Sequence, residues 1–249
     1  MKFAAIADIH GNAAALEAVL ADISRKGITD IANLGDSLSG PLDPAATADR
    51  LIALGLPTVA GNHDRQLIDR APEEMGQWEV WTYPHLSADH LDWVRSLPAT
   101  LVWNDVFLCH ATPHDDQTNW MDERGADRRM HFNPRDVIER FAVGVEHSLI
   151  LCAHTHIPRM VRLSGGRVLV NPGSVGCPAY LDDREDLPFV AETGAPDARY
   201  AILEEVVGAW RVELCSVPYN PSPMIERART GGGESWAEAL TSGWFTPQT

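Results

Sequence analysis

The sequence predicts an α/β fold with its chemistry at the carboxyl ends of the strands. Two observations point there. Short apolar runs alternate with segments of helical period, and several of these runs end on aspartate, asparagine or histidine. Alternation of this kind implies parallel strands joined by helical crossovers, and in such sheets ligands gather where the strands end.

Residues 2–7 form an apolar strand ending at Asp8. Leu16, Val19, Leu20 and Ile23 then keep helical spacing between residues 12 and 26, with Asn12 as N-cap. The theme repeats as a strand over 28–34, a loop over 35–44 and a helix over 45–54 closed by Gly55. A third short strand, 57–60, leads into a turn at 61–64 and another helix. A helix over 87–97 precedes strands at 100–103 and 106–109, joined by the Asn104-Asp105 turn, the second ending at His110. Residues 112–131 are polar and without a clear period, and read as a loop or small cap. After a helix over 134–142, a strand over 148–152 ends in Ala153-His154-Thr155-His156. A hairpin of 160–163 with 167–170 follows and is broken by Asn171-Pro172-Gly173-Ser174. Residues 178–198 are rich in Pro, Asp, Glu and Gly and read as a surface excursion, before strands at 200–203 and 210–215. The tail, 220–249, is expected to hold short helices or to fray. There is no internal repeat, and 249 residues fit one domain, 1–249.

Composition narrows the function. The formal charge of −15 at pH 7 repels a polyanion, so long nucleic acid is not an expected partner. Any phosphate compound would need locally supplied positive charge, and metal cations supply it economically. Asp8 and His10 interrupt the N-terminal apolar stretch before it reaches the length of a secretory core, and no run approaches a membrane span, so the chain is expected to stay in the cytoplasm, off the membrane. The four cysteines, Cys109, Cys152, Cys177 and Cys215, have no close pair, which argues against a thiolate metal site or a disulfide framework.

Metal-type side chains follow strands in five places: Asp8-x-His10, Gly35-Asp36, Gly61-Asn62-His63-Asp64, His110 and His154-x-His156. A pair of divalent ions needs a bridging carboxylate, for which Asp36 is the natural choice, neutral imidazoles, and an open position for hydroxide. In an extended segment, residues i and i+2 point the same way, so Asp8 with His10, and His154 with His156, are each expected to address a shared metal pair.

The order D-x-H, G-D, G-N-H-D, H and H-x-H resembles the calcineurin-like metallophosphoesterases, most closely their small prokaryotic phosphodiesterase branch. The likeness extends to Gly40-Pro41 with Pro44, to residues 171–176 and to residues 198–203, so it spans roughly residues 1–215. It implies a layered β-sandwich, two packed sheets flanked by helices, and hydrolysis of a small phosphodiester through a metal-bridging hydroxide. A phosphomonoester or a dinucleoside polyphosphate is the alternative substrate, and an inactive protein-binding module the rival from another class. It implies two divalent metal ions, manganese first, with iron, zinc, cobalt or nickel as alternatives. Asp8, His10, Asp36 and His156 would hold one metal, and Asp36, Asn62, His110 and His154 the other. His63 would face the substrate beside Asn62 and stabilise the phosphoryl group or protonate the leaving oxygen.

The sequence departs from the family pattern in four places. Ala111 and Ala153 replace glycines beside the lone histidine and H-x-H. Ser39 and Gly40 stand where the protein-phosphatase branch has an aspartate that orients the catalytic histidine and a phosphate-binding arginine. These last two count against a dedicated protein phosphatase. Arg124, Arg128 and Arg129 are open between clamping a substrate phosphate from the cap and pairing with local acids. Trp78, Trp81 and Trp93 read as core or interface residues, and His114, Asp115 and Asp116 as a solvated loop.

Overall fold

The computed structural model describes residues 1–182 and 188–245. In chain order the elements are β1 (Lys2–Ile6), α1 (Ala13–Arg25), β2 (Ile31–Asn33), α2 (Pro44–Leu54), α3 (Asn62–Asp69), α4 (Gln77–Thr82), α5 (Ala88–Ser96), β3 (Thr100–Trp103) and β4 (Val106–Cys109). They continue as β5 (Asp122–Arg124), β6 (Met130–Phe132), α6 (Arg135–Phe141), β7 (Leu149–Leu151), β8 (Arg159–Arg162), β9 (Val168–Asn171), β10 (Ala179–Asp182) and β11 (Phe189–Glu192). The chain closes with β12 (Ala198–Val206), β13 (Ala209–Val217), α7 (Ser222–Thr230) and α8 (Glu234–Ser242).

Two mixed sheets form the frame, in the orders β13-β12-β1-β2 and β3-β4-β7-β9-β8. The parallel pairs are β1 with β2, β4 with β7, and β7 with β9; β12 and β13 in the first sheet, and β3 and β8 at the edges of the second, join antiparallel. The parallel pairing expected from the alternation is therefore confined to β1, β2, β4, β7 and β9. The expected third strand, 57–60, shortens to one parallel bridge between Asn33 and Thr58.

Strand alternation explains the layers. In β1, Phe3 and Ala5 face one way and join Val106, Leu108, Leu149, Leu151, Val168 and Val170 in the core between the sheets. Ala4 and Ile6 face the other way and meet Leu16, Val19, Leu20 and Ile23 of α1. That helix starts where the Asn12 side chain accepts from the Ala15 amide at 3.0 Å. The outer face of the second sheet, through Ile150 and Leu169, packs on Ile138 of α6.

Three segments differ from expectation. Residues 112–131 are not all too polar for the core, because Trp120 and Met121 are 2% and 1% exposed and sit in the α6 cluster, while β5 and β6 form a small hairpin. The excursion at 178–198 holds an antiparallel pair, β10 with β11, whose Ala179, Phe189 and Ala191 are buried; its stretch 183–187 lies outside the described residues. The tail forms α7 and α8, docked through Met224, Ala228, Trp236 and Leu240 against Leu42 and Cys177, with 246–249 outside the described residues. Among the described residues no helix is long and apolar enough to cross a membrane.

Candidate metal centre

The loops after β1, β2, β4 and β7 converge with the first turn of α3 at one end of the sandwich. They place Asp8, His10 and His156 in one buried group and Asp36, His110 and His154 in a second. The groups adjoin: Asp8 Oδ1 lies 3.6 Å from His156 Nε2 and 4.0 Å from His110 Nε2. Asp36 Oδ2 is 3.1 Å from His110 Nε2, and the Asp36 carbonyl accepts the His10 amide at 3.0 Å.

The convergence does not come from side chains alternating along extended chain. Asp8, His10, Asp36, His154 and His156 all have φ between 50° and 72°, the left-handed region that non-glycine residues seldom occupy. Each strand ends in a sharp turn that throws these side chains inward, and the strain persists because neighbouring contacts over-determine it. Ser174 Oγ donates to the Asp8 carbonyl at 2.7 Å, Asn12 Nδ2 donates to the Gly176 carbonyl at 3.0 Å, and Asn171 Nδ2 donates to the Ala153 carbonyl at 2.8 Å. Asp64, fully buried, accepts the amides of Asp36 (2.8 Å), Ser37 (3.1 Å) and Gly61 (3.0 Å), locking the β2 loop to the start of α3. Ala111 and Ala153 adopt no positive φ, so their methyl groups add no backbone strain.

Every imidazole of the two groups is oriented by a carbonyl behind it. Nδ1 donates to Ser39 from His10 (2.8 Å), to Leu34 from His110 (2.7 Å) and to Cys177 from His156 (2.8 Å), whereas His154 donates through Nε2 to Gln117 at 2.9 Å. In these tautomers Nε2 of His10 and His156 and Nδ1 of His154 present lone pairs to the centre, while His110 Nε2 lies against the Asp36 carboxylate. Lone pairs then face lone pairs: His10 Nε2 and His156 Nε2 stand 3.2 Å apart. Both Asp8 carboxylate oxygens are buried without a hydrogen-bond partner. The Asn62 carboxamide oxygen faces His154 Nδ1 at 3.0 Å and His110 Nε2 and Asp36 Oδ2 at 3.3 Å; turned over, its nitrogen would donate to all three. Buried acceptors that converge without a donor are the donor set a divalent cation takes, and this mix of imidazole, carboxylate and amide oxygen suits borderline metals. The two clusters are consistent with a dinuclear metal site.

Burial also sets the charges. It drives His10 down to about 3 and holds His156 well below the usual imidazole range, so both stay neutral and able to ligate. Burial opposes the charged form of His110 too, but the Asp36 carboxylate beside it lifts that imidazole to about 10. Asp8 is pushed well above the carboxylate range by burial.

The His63 ring borders a cavity of about 180 Å³ that opens over Asp36, His154 and His156. Two residues that the sequence did not place at the site define its pose. Glu79, 1% exposed, accepts from His63 Nδ1 at 2.5 Å, and Trp78 stacks on the ring at 4.7 Å with planes 14° apart. Trp78 thus belongs to the candidate site. In turn Trp236 of α8 meets Trp78 edge to face at 4.8 Å and lies against Gly40, where a Cβ would stand 3.2 Å from its ring. The tail fills the space an arginine at position 40 would require. The only sequence signal for Glu79 was an acid in the short segment between two breakers, Gly76 and Pro84.

Arg124, Arg128 and Arg129 do not line this cavity. Arg124 lies over the Phe189 ring at 4.7 Å and Arg129 pairs with Glu192 at 2.9 Å. Asp115 is spent on the amides of Gln117 and Thr118, and Asp116 on Arg65, which fits their reading as loop structure.

Residues 1–189 match the calcineurin-like phosphoesterase superfamily domain. An uncharacterised protein of Methanocaldococcus jannaschii is 28% identical over 241 residues, covering 90% of each chain. A solved metallophosphoesterase from Sphaerobacter thermophilus superposes with a TM-score of 0.76 at 26% identity, over 98% of this chain and 99% of that one. A hypothetical protein from Pyrococcus horikoshii OT3 shares the fold, with a TM-score of 0.75 at 18% identity over 98% and 99%. With that match running through the strands and loops that build the two clusters, the chain belongs to the calcineurin-like phosphoesterase superfamily.

Proposed function

We propose that this chain hydrolyses a small phosphate ester, a diester in preference to a monoester, using two divalent cations. Asp8, His10, Asp36 and His156 would hold one, and Asp36, Asn62, His110 and His154 the other. One observation carries the reading: each group brings three ligand-type atoms within 4.8 Å of one another, and both Asp8 oxygens are buried there without a hydrogen-bond partner. Bound there, the cations would supply an activated water and neutralise phosphate charge. Manganese is the first expectation, with iron, zinc, cobalt and nickel compatible with the same donors.

The chain's own residues account for the rest. The Asp36 carboxylate accepts the His63 amide at 2.9 Å, which ties the start of α3 to the cluster. Glu79 accepts from His63 Nδ1 and so fixes the orientation of the ring, leaving Nε2 to face the leaving oxygen or the transferring phosphoryl group. Trp78 holds the plane of that ring. A complete donor set with a braced His63 argues against a role as a binding module alone.

The test compares metal-free protein with protein reconstituted in manganese or zinc, on bis(4-nitrophenyl) phosphate and 4-nitrophenyl phosphate. Metal-dependent turnover, faster on the diester, is expected. Protein that takes up metal and hydrolyses neither ester would contradict the assignment, and a faster monoester would reverse the preference.

A further inference from the structure

His63, Gln66 and Arg70 stand at the spacing i, i+3 and i+7 along α3 and its cap, and all three line the cavity over the clusters. Arg70 lies about 10 Å beyond His63 along the helix at 1.5 Å per residue. Between them Gln66 is 2% exposed, and its Nε2 has no hydrogen-bond partner. A buried amide donor is left unpaired at a cost unless a ligand supplies the acceptor.

Arg70 is in the same condition. Acids outnumber Lys and Arg by 35 to 20, yet among the described residues no carboxylate pairs with its guanidinium. Arg65, on the same helix, is by contrast engaged by Asp116 at 2.6 Å. The acid next to Arg70 around Gly76 is Glu79, whose other oxygen is committed to His63. Asp182 of β10 also borders the cavity, which leaves the α3 wall as the side open to an anion. Trp78 and Tyr180 border the space between that wall and the clusters.

We propose that Gln66 and Arg70 form an oxyanion subsite, so that the substrate is a phosphate ester whose organic part carries a second anionic group. The intervening segment, planar or apolar, lies against Trp78 and Tyr180. Guanidinium recognises carboxylate and phosphate oxygens alike through paired N–H donors, and the Gln66 amide adds a donor on the same line. This rests on the phosphoesterase reading above.

The probes are 4-nitrophenyl phenyl phosphate and two relatives bearing a carboxylate or a phosphonate para on the phenyl ring. For metal-loaded wild-type protein, kcat/KM on an anionic relative is expected to exceed that on the plain diester by about tenfold or more, the size of one charge-assisted contact. The better relative identifies the anion. Arg70→Ala should bring the ratio near one, and Arg70→Lys should retain part of it; Arg70→Gln replaces the alanine variant if that does not fold. A wild-type ratio near one overturns the subsite, as does a ratio that loss of the Arg70 charge leaves unchanged in folded protein. If no diester is hydrolysed, the phosphoesterase reading fails instead. The subsite is then decided by calorimetry with phenyl phosphate and its 4-carboxy relative, equal affinities overturning it.

Discussion

At the scale of single residues, Asp36 and His63 should fail in different ways. Asp36 is grouped with His110 and His154 and is held against His10 through its carbonyl, so Asp36→Asn is expected to abolish turnover through loss of metal. His63→Asn should keep its metals and lose roughly 10²- to 10⁴-fold in kcat, the usual worth of one general acid or charge-stabilising group. Metal content by elemental analysis alongside kcat separates the two, and full activity of His63→Asn on an ester with a poor leaving group would remove its role. Glu79→Gln keeps a hydrogen-bond acceptor for Nδ1 but loses the charge. It should lower kcat with little change in KM or metal content, and most on poor leaving groups; a uniform loss across leaving groups would make Glu79 merely structural. The residues that the structure gathers into the two clusters were legible in the sequence because spacing and order survive without coordinates. Glu79 was not, since a lone acid has no spacing partner and only the fold brings it to His63. The left-handed turns at Asp8, His10, Asp36, His154 and His156 were equally hidden, because Asp and His adopt a positive φ more often than most residues but still too seldom for their presence to announce one.

At the scale of elements, α3 and α8 frame the site by close approach. A Cβ on Gly61, just before α3, would stand 2.1 Å from Asp36 Oδ1 and 2.5 Å from the Asp36 amide. Gly61→Ala is therefore expected to displace the Asp36 carboxylate and reduce metal uptake; unchanged uptake in a folded variant would show that the loop yields easily. Trp236, 5% exposed on α8, packs against Trp78 and Gly40, so Trp236→Ala should cost about 3–5 kcal/mol and also lower kcat by freeing the Trp78–His63 stack. Chemical denaturation and kinetics on the same sample check both halves. Long amphipathic elements such as α1 and the β12–β13 hairpin could be read from their periods. The helix α4, with Trp78 and Glu79, is only six residues long, too short for a period to emerge. The β10–β11 pair lies in a stretch whose Pro, Asp and Gly content resembles a loop, and tertiary burial of Phe189 overrides that composition.

At the scale of the whole molecule, the two sheets were implied only by family likeness, because alternating elements specify parallel pairing and not how one sheet packs on another. The structure limits parallel pairing to the strands beside the clusters and adds antiparallel strands at both edges of the second sheet and at one edge of the first. This frame joins loops more than a hundred residues apart in sequence, and the buried, unpartnered Asp8 oxygens at their meeting point cost stability that a bound cation would offset. Saturating manganese or zinc should accordingly raise Tm, with a gain of about 2.7 kcal/mol at a hundred times Kd for one site, and Asp36→Asn should abolish most of the shift. The most direct measurement is anomalous diffraction at the metal edge on crystals grown with saturating manganese or zinc. The account predicts two peaks per chain, one enclosed by Asp8, His10 and His156, the other by Asn62, His110 and His154, with Asp36 touching both. A single peak, or two that do not share Asp36, would contradict it.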